Sequence, residues 1–269
     1  MKAKRLLYIA LAVVIVTIVF VGYGIYSSYQ ISLQEYNCDV DIDITIGHLT
    51  DTHFRNGMEV DYYQSTIDDL QNENPDMIIF TGDMFQEHEL TEELITTAKA
   101  FFNSFEAEHL YAVLGNHDYY SETTLATVQE ILTEAGFTIL INENIVLTIN
   151  NQQINIIGLD DLTYGDTNYQ TILDTSKEYD RTIVLSHEPD TFDDVHPYPV
   201  NVMFSGHSHG GQIRLPFIGS IINVPGSRIY NERTYLKNDT RLYISFGLGQ
   251  SVINLRMYDP QQIEIYKCS

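Results

Sequence analysis

Residues 205–216 read "SGHSHGGQIRLP", and the reading of this stretch decides the fold. His207 and His209 stand one residue apart, directly after the apolar run "VNVMF" (200–204) and among Gly206, Gly210 and Gly211. A short apolar run ending in glycine-rich punctuation reads as a buried strand running into a loop. The same pattern recurs four times upstream. "ITIGHLTDTH" (44–53) ends at Asp51 and His53, and "DMIIFTGD" (76–83) ends at Asp83. "LYAVLGNHD" (110–118) ends at Asn116, His117 and Asp118, and "TIVLSHEPD" (182–190) carries His187. Strands apolar on both faces need helices or a second sheet against each of them.

Helical patterns lie between several of these runs. Tyr63, Ile67 and Leu70 recur at helical spacing before the Asn74-Pro75 break. Leu94, Ala98, Phe101, Phe102 and Phe105 do so after Thr91, a good cap residue, and a third pattern starts at Ser121 and stops at Gly136. Beyond residue 137 strand patterns dominate, with "NN" at 150–151 marking a hairpin. The expected class is α/β: a layered αββα sandwich of mixed sheets with outer helices. In open α/β sheets, functional groups gather at the carboxyl ends of strands. A lone Asp or His after a strand is usually a cap or a surface residue; five strand ends all bearing metal-type ligands are not.

The first 30 residues stand apart. Lys2, Lys4 and Arg5 precede an uncharged stretch that lasts until Glu35. Its apolar part would span roughly 30 Å as a helix, the thickness of a bilayer core. The expected organisation is a basic cytoplasmic flank (1–5), a transmembrane signal anchor (6–26), a polar linker (27–37) and one catalytic domain (38–269). A cleaved signal is the alternative, with "GYG" (22–24) a weak processing site. Basic residues before the span favour an exported domain and a cell-membrane location. The chain holds 14 Lys+Arg and 37 Asp+Glu; without the three flanking bases, 11 face 37, a net of −26. Such a surface repels phosphate backbones, so no nucleic-acid partner is expected.

The candidate ligands are Asp51, His53, Asp83, Asn116, His187, His207 and His209. The pairs 51/53 and 207/209 are spaced i, i+2, which in an extended strand puts both side chains on one face. The neighbouring glycines are expected to turn the backbone tightly and leave room for substrate. Seven ligands exceed one tetrahedral ion and suit two divalent ions sharing a carboxylate. Nitrogen and oxygen donors without thiolate fit Mn, Fe or Zn. Two such ions about 3.5–4 Å apart can activate a bridging hydroxide for in-line phosphoryl displacement.

"D-x-H" at 51–53, "GD" at 82–83, "GNHD" at 115–118, His187 and "GHSH" at 206–209 together resemble the calcineurin-like metallophosphoesterase superfamily. "SGHSHGGQ" and the late "LYISFGLGQS" (242–251) look most like its bacterial membrane-bound or exported members. The resemblance implies one metal site of Asp51, His53, Asp83 and His209, and another of Asp83, Asn116, His187 and His207. His117 would be the catalytic non-ligand, protonating the leaving oxygen or stabilising phosphate charge, with Asp118 orienting it. A metal-binding tyrosine of purple acid phosphatases is replaced by Gln86. Arg55 is expected to be a solvated loop residue, and His48, His88, His109 and His196 to be structural or surface residues. The implied function is hydrolysis of phosphomonoesters or phosphodiesters on small-molecule, lipid-linked or envelope substrates. The family also includes lipid-precursor pyrophosphohydrolases. A nuclease or nucleotide phosphodiesterase and an inactive metal-binding adaptor are the alternatives.

Cys38 and Cys268 are the chain's two cysteines. "CDVDIDI" (38–44) and "QQIEIYKC" (261–268) both alternate polar and apolar residues, as half-buried strands do. Paired antiparallel, they would set Asp41 near Glu264–Ile265 and Ile44 near Gln262. Cys38 would then face Cys268, and an exported location permits a disulfide.

Overall fold

The computed structural model describes residues 2–215, 217–251 and 255–269; Met1 of the expected flank and Pro216 of the opening stretch lie outside them. The chain begins with a long helix, α1 (Lys2–Ser28), followed by strands β1 (Ile31–Cys38) and β2 (Ile44–Leu49). Three βα steps follow: α2 (Gln64–Asn72), β3 (Met77–Phe80), α3 (Glu92–Phe102), β4 (His109–Ala112), α4 (Glu122–Glu134) and β5 (Thr138–Ile139). The second half holds β6 (Glu143–Ile149), β7 (Gln152–Gly158), α5 (Gln170–Leu173), β8 (Thr182–Leu185), α6 (Phe192–Val195) and β9 (Val202–Ser205). It closes with β10 (Arg214–Leu215), β11 (Gly219–Ser220), β12 (Thr234–Lys237), β13 (Thr240–Ile244) and β14 (Gln261–Cys268).

Two six-stranded mixed sheets form, in the orders β1-β14-β2-β3-β4-β5 and β12-β13-β9-β8-β7-β6. Their facing sides share one core, in which Ile46, Met77 and Ile79 meet Ile156, Ile183 and Phe204. The alternate residues Ile78 and Phe80 point the other way, into Leu70, Phe101, Phe102 and Val128 of the helices. That two-sided burial is why these strands read as unbroken apolar runs. The outer face of the second sheet is covered by single helical turns carrying Leu173, Phe192 and Val195, too short to show a periodicity. The expected αββα layering is therefore the one observed.

Local chemistry sets the boundaries. Thr91 and Ser121 cap α3 and α4, their hydroxyls accepting from the amides of Leu94 (3.2 Å) and Thr124 (3.0 Å). Asn150 and Asn151 take positive φ at the β6–β7 hairpin, as a primed turn requires.

Two expectations at the amino end are corrected. Residues 27–37 are not a linker: α1 runs to Ser28, and "ISLQEYNC" forms edge strand β1, parallel to β14. Its backbone groups gain ladder partners there that a polar linker would leave to water. Residues 39–43 are then a turn segment rather than a strand. Cys38 lies opposite Cys268, but in parallel register, and Ile44 rather than Asp41 continues antiparallel along β14, opposite Cys268. The two sulfurs form a disulfide with a Cα–Cα distance of 4.2 Å.

The helix α1 is long and apolar enough to cross a membrane, and its side chains are exposed, Leu6 and Ile18 by about two thirds. A core helix would be buried. Its carboxyl-terminal half meets the domain at Tyr258 and Tyr62. The ring of Tyr258 packs on Phe20 and Tyr23, its hydroxyl donates to Phe20 O (3.1 Å), and its amide donates to Ser27 Oγ (3.2 Å). Tyr62 Oη donates to Tyr29 O (2.8 Å). Direction then follows from register. Ile31 pairs with Gln261 at the start of β14, and β14 runs antiparallel to β2, with Glu264 opposite His48. The end of α1 therefore lies at the same end of the sheets as the carboxyl ends of the ligand-bearing strands.

Candidate metal centre

Strands β2, β3, β4, β8 and β9 end at Leu49, Phe80, Ala112, Leu185 and Ser205, and the ligand-type residues lie in the loops just beyond. The expectation that the i, i+2 pairs lie on extended strand is corrected. Asp51, His53, Asp83, His207 and His209 all have positive φ, between 42° and 63°. Left-handed backbone swings each side chain inward at the strand end; an extended continuation would carry it past the site. Such residues cost on the order of 1–3 kcal/mol each and persist where their surroundings over-determine them.

The side chains converge closely. His53 Nε2 lies 3.0 Å from His209 Nε2, and Asp51 Oδ1 lies 3.3 Å from His209 Nε2 and 3.6 Å from His53 Nε2. Across the cleft His187 Nε2 is 3.1 Å from His207 Nδ1. Asp83 Oδ2 stands between the groups, 3.4 Å from His53 Nε2 and 3.2 Å from His187 Nε2. Two donors about 2.1 Å from one ion are about 3.0 Å apart at a right angle and about 3.4 Å apart at the tetrahedral angle. The observed edges match a coordination shell.

Neighbouring bonds aim these atoms. His187 Nδ1–H donates to Thr81 O (2.6 Å) and His207 Nε2–H to Pro225 O (2.6 Å), since a carbonyl only accepts. Each ring thus turns its other nitrogen into the cluster. Asp51 Oδ2 accepts from Thr50 Oγ1 (2.6 Å) and His207 N (2.9 Å), while buried Asp51 Oδ1 finds no hydrogen-bond partner among the described residues. Asn116 Oδ1 is orphaned in the same way and lines a cavity of about 250 Å³ with Asp83, His117, His207 and His209. Buried oxygens left bare beside imidazole nitrogens suit cations. Burial pushes the Asp83 carboxyl up, but His187 and His117 outweigh it and hold it well below the carboxylate range. Burial holds the His117 imidazole down to about 4.

Glycines permit the close approach. A Cβ on Gly115 would strike the Asp83 carboxylate and the His187 ring, and one on Gly206 would strike Thr50 Oγ1 and Asp51 Oδ2. The room at Gly206 thus goes to a ligand rather than to substrate.

Three smaller expectations change. Asp118 does not turn to His117; it accepts from the amides of Asp83 (3.0 Å), Met84 (2.8 Å) and Gly115 (2.9 Å), tying two ligand loops together. His117 Nε2 instead meets Tyr120 Oη (2.9 Å), and His88, expected only as a structural or surface residue, stacks on that tyrosine at 4.2 Å. Arg55 is not free in solvent: it donates to Gln250 O and, at 3.0 Å, to Ser251 O. It lines a cavity of about 450 Å³ beside His53, whose walls include Tyr29, Met58, Tyr62 and Leu248.

Arg256 escaped sequence reading altogether. Fully buried, it donates to Phe246 O (2.6 Å), Gly247 O (3.2 Å) and Gly249 O (2.6 Å), pairs with Asp259 at 3.3 Å and lies 3.4 Å from His209 Nδ1. The loop it holds lies against Asp51, since Gly249 N donates to Asp51 O. A single arginine near the carboxyl end carries no motif that would mark it.

An αββα sandwich with carboxylates and imidazoles clustered at its strand ends is the architecture of a metal-dependent hydrolase. Residues 44–211 match the family model for calcineurin-like phosphoesterases, and the chain belongs to that family. It is 32% identical over 228 residues to the metallophosphoesterase YkuE of Bacillus subtilis, covering 82% of this chain and 77% of that one. The phosphodiesterase YaeI of Escherichia coli is 25% identical over 210 residues, covering 78% and 76%. The UDP-2,3-diacylglucosamine pyrophosphatase LpxG of Chlamydia muridarum is 26% identical over 287 residues, covering 84% and 83%.

Proposed function

We propose that this protein is a membrane-anchored, outward-facing phosphoesterase that hydrolyses phosphomonoesters or phosphodiesters of lipid-linked or cell-envelope substrates. The observation that carries the reading is the convergence of acidic and imidazole groups from five strand ends around Asp83 Oδ2. Asp51, His53, Asp83 and His209 would hold one divalent ion, and Asp83, Asn116, His187 and His207 a second. The oxygen and nitrogen donors suit Mn, Fe or Zn. Bound there, such a pair supplies Lewis-acid stabilisation of phosphoryl oxygens and a more acidic water.

The chain's own groups have separate tasks. Asp83 places a carboxylate oxygen between the two ligand sets. His117, on the cavity wall, holds an N–H for a phosphoryl or leaving oxygen, and Tyr120 orients its ring. The mixed apolar and polar cavity beside His53 would take the substrate portion beyond the phosphate. Its position next to Tyr29, at the end of α1, supports a substrate presented from a bilayer. The relative LpxG, named for a diacylated substrate, supports the same class. Contacts of Phe20, Tyr23 and Ser27 with the domain favour an uncleaved anchor, and the basic flank favours an outward domain.

Turnover by the full chain in detergent, with Mn²⁺, Fe²⁺ or Zn²⁺, tests this on an aryl phosphate, a bis-aryl phosphodiester and an amphiphilic phosphodiester in mixed micelles. The amphiphile should give the highest kcat/KM. No metal-dependent hydrolysis of any of them overturns the enzyme, and preference for the soluble esters overturns the lipid assignment.

A further inference from the structure

The β10–β11 hairpin belongs to no part of the metal centre, yet it begins on the loop that carries His209. It presents apolar side chains to solvent: Phe217 is fully exposed, Ile218 73% and Ile221 54%. Soluble surfaces rarely cluster such groups without a partner. Among the described residues beyond residue 30, three of the seven exposed large apolar side chains are Phe217, Ile218 and Ile221.

The hairpin's place in the fold identifies the partner. Met257 N donates to Gln212 O (2.7 Å) and Arg214 N to Met257 O (3.0 Å), so the base of the hairpin is built on residue 257. The same segment receives α1: Met257 packs at Gly24, and Tyr258 packs on Phe20 and Tyr23. Phe217 is three residues from Arg214, so at about 3.4 Å per residue it lies within about 10 Å of that junction. Tyr23, Tyr26 and Tyr29 are exposed around the same level, where a membrane–water interface favours tyrosine.

We infer that the 214–221 hairpin is a second membrane contact, with Phe217, Ile218 and Ile221 inserted into the leaflet from which α1 emerges. This rests on the proposed reading of α1 as an anchor. Two contacts fix the tilt of a domain that one helix would leave free to pivot, and they hold the metal-centre end of the sheets against the headgroups. The occupant is the bilayer; a second copy of this chain is an outcome the test separates.

The chain has no tryptophan, so one introduced indole reports a single position. Full-length Phe217→Trp, Val14→Trp and Gln153→Trp variants are reconstituted in phosphatidylcholine vesicles with or without bromine on the acyl chains. Gln153 is exposed on β7, at the end of the sheets away from α1. Emission from positions 217 and 14 should fall at least two-fold in brominated vesicles, with position 153 unchanged. Quenching at 14 without quenching at 217 overturns the second contact and leaves the anchor standing. An unquenched position 14 overturns the anchor itself. A shift at 217 that tracks protein density and ignores bromine assigns the hairpin to a second copy and also overturns the inference. Ile218→Trp repeats the measurement if Phe217→Trp fails to fold.

Discussion

At the scale of single residues, the cluster forms because left-handed backbone at Asp51, His53, Asp83, His207 and His209 turns side chains inward. Asp83 is the most exacting, since its Oδ2 lies 3.4 Å from His53 Nε2 and 3.2 Å from His187 Nε2, between the two imidazole groups. Asp83→Asn should abolish most activity and cost at least one bound ion, because a neutral amide bridges two dications poorly. Metal analysis of the purified variant checks this, and two retained ions with normal turnover would contradict it. His117→Ala should keep the metal content and slow turnover about 10²–10⁴-fold, the usual scale of general acid–base help. Loss of metal would make His117 a ligand. Arg256→Met leaves Asp259 buried without its cation and strips three carbonyls of a donor. Breaking a buried pair in this way costs about 3–5 kcal/mol. Denaturant unfolding should show that loss, and Arg256→Lys should recover part of it.

Among the elements, β1 changes most from its sequence reading. It joins α1 to the sheet with Tyr29 and Gln30 between them, so the apolar helix is continuous with the domain. The Cys38–Cys268 disulfide locks the far end of the same strand pair across a separation of 230 residues. Closing so long a loop should stabilise the native state by about 2–4 kcal/mol. The Cys38→Ser/Cys268→Ser double variant should therefore unfold at lower denaturant with its metal content intact, because the bridge lies at the opposite end of β14 from the site. Peptide mapping of the wild type without reductant should recover the linked terminal pair, and two free thiols would refute it.

On the scale of the whole molecule, the order of the strands decides which way the site faces. With α1 in a bilayer, the carboxyl ends of β2, β3, β4, β8 and β9 face the membrane. The full-length protein should stay with membranes through carbonate washing, and added protease should reach the domain only from outside. Recovery of a soluble mature chain lacking roughly the first 25 residues would favour a cleaved signal.

The layers and the clustering of ligand-type residues at the strand ends were legible because they rest on local signals. Apolar runs bounded by polar punctuation mark two-sided strands, and Asp51, Asp83, His187, His207 and His209 stand at their ends whatever the tertiary arrangement. The αββα class follows from those runs and the helical periods between them. What only the tertiary structure decided are relations between distant segments. Strand direction is one: the 39–43 turn sends β1 and β2 in opposite directions and β14 inserts between them antiparallel to β2, so "ISLQEYNC" lies parallel to β14, and composition cannot show that insertion. The partners of Asp118, Arg55, Tyr120 and Arg256 are another, since a hydrogen bond is satisfied by whatever group folding brings within about 3 Å. The left-handed turns at the ligands are a third, because Asp and His favour that backbone only where their surroundings hold it there.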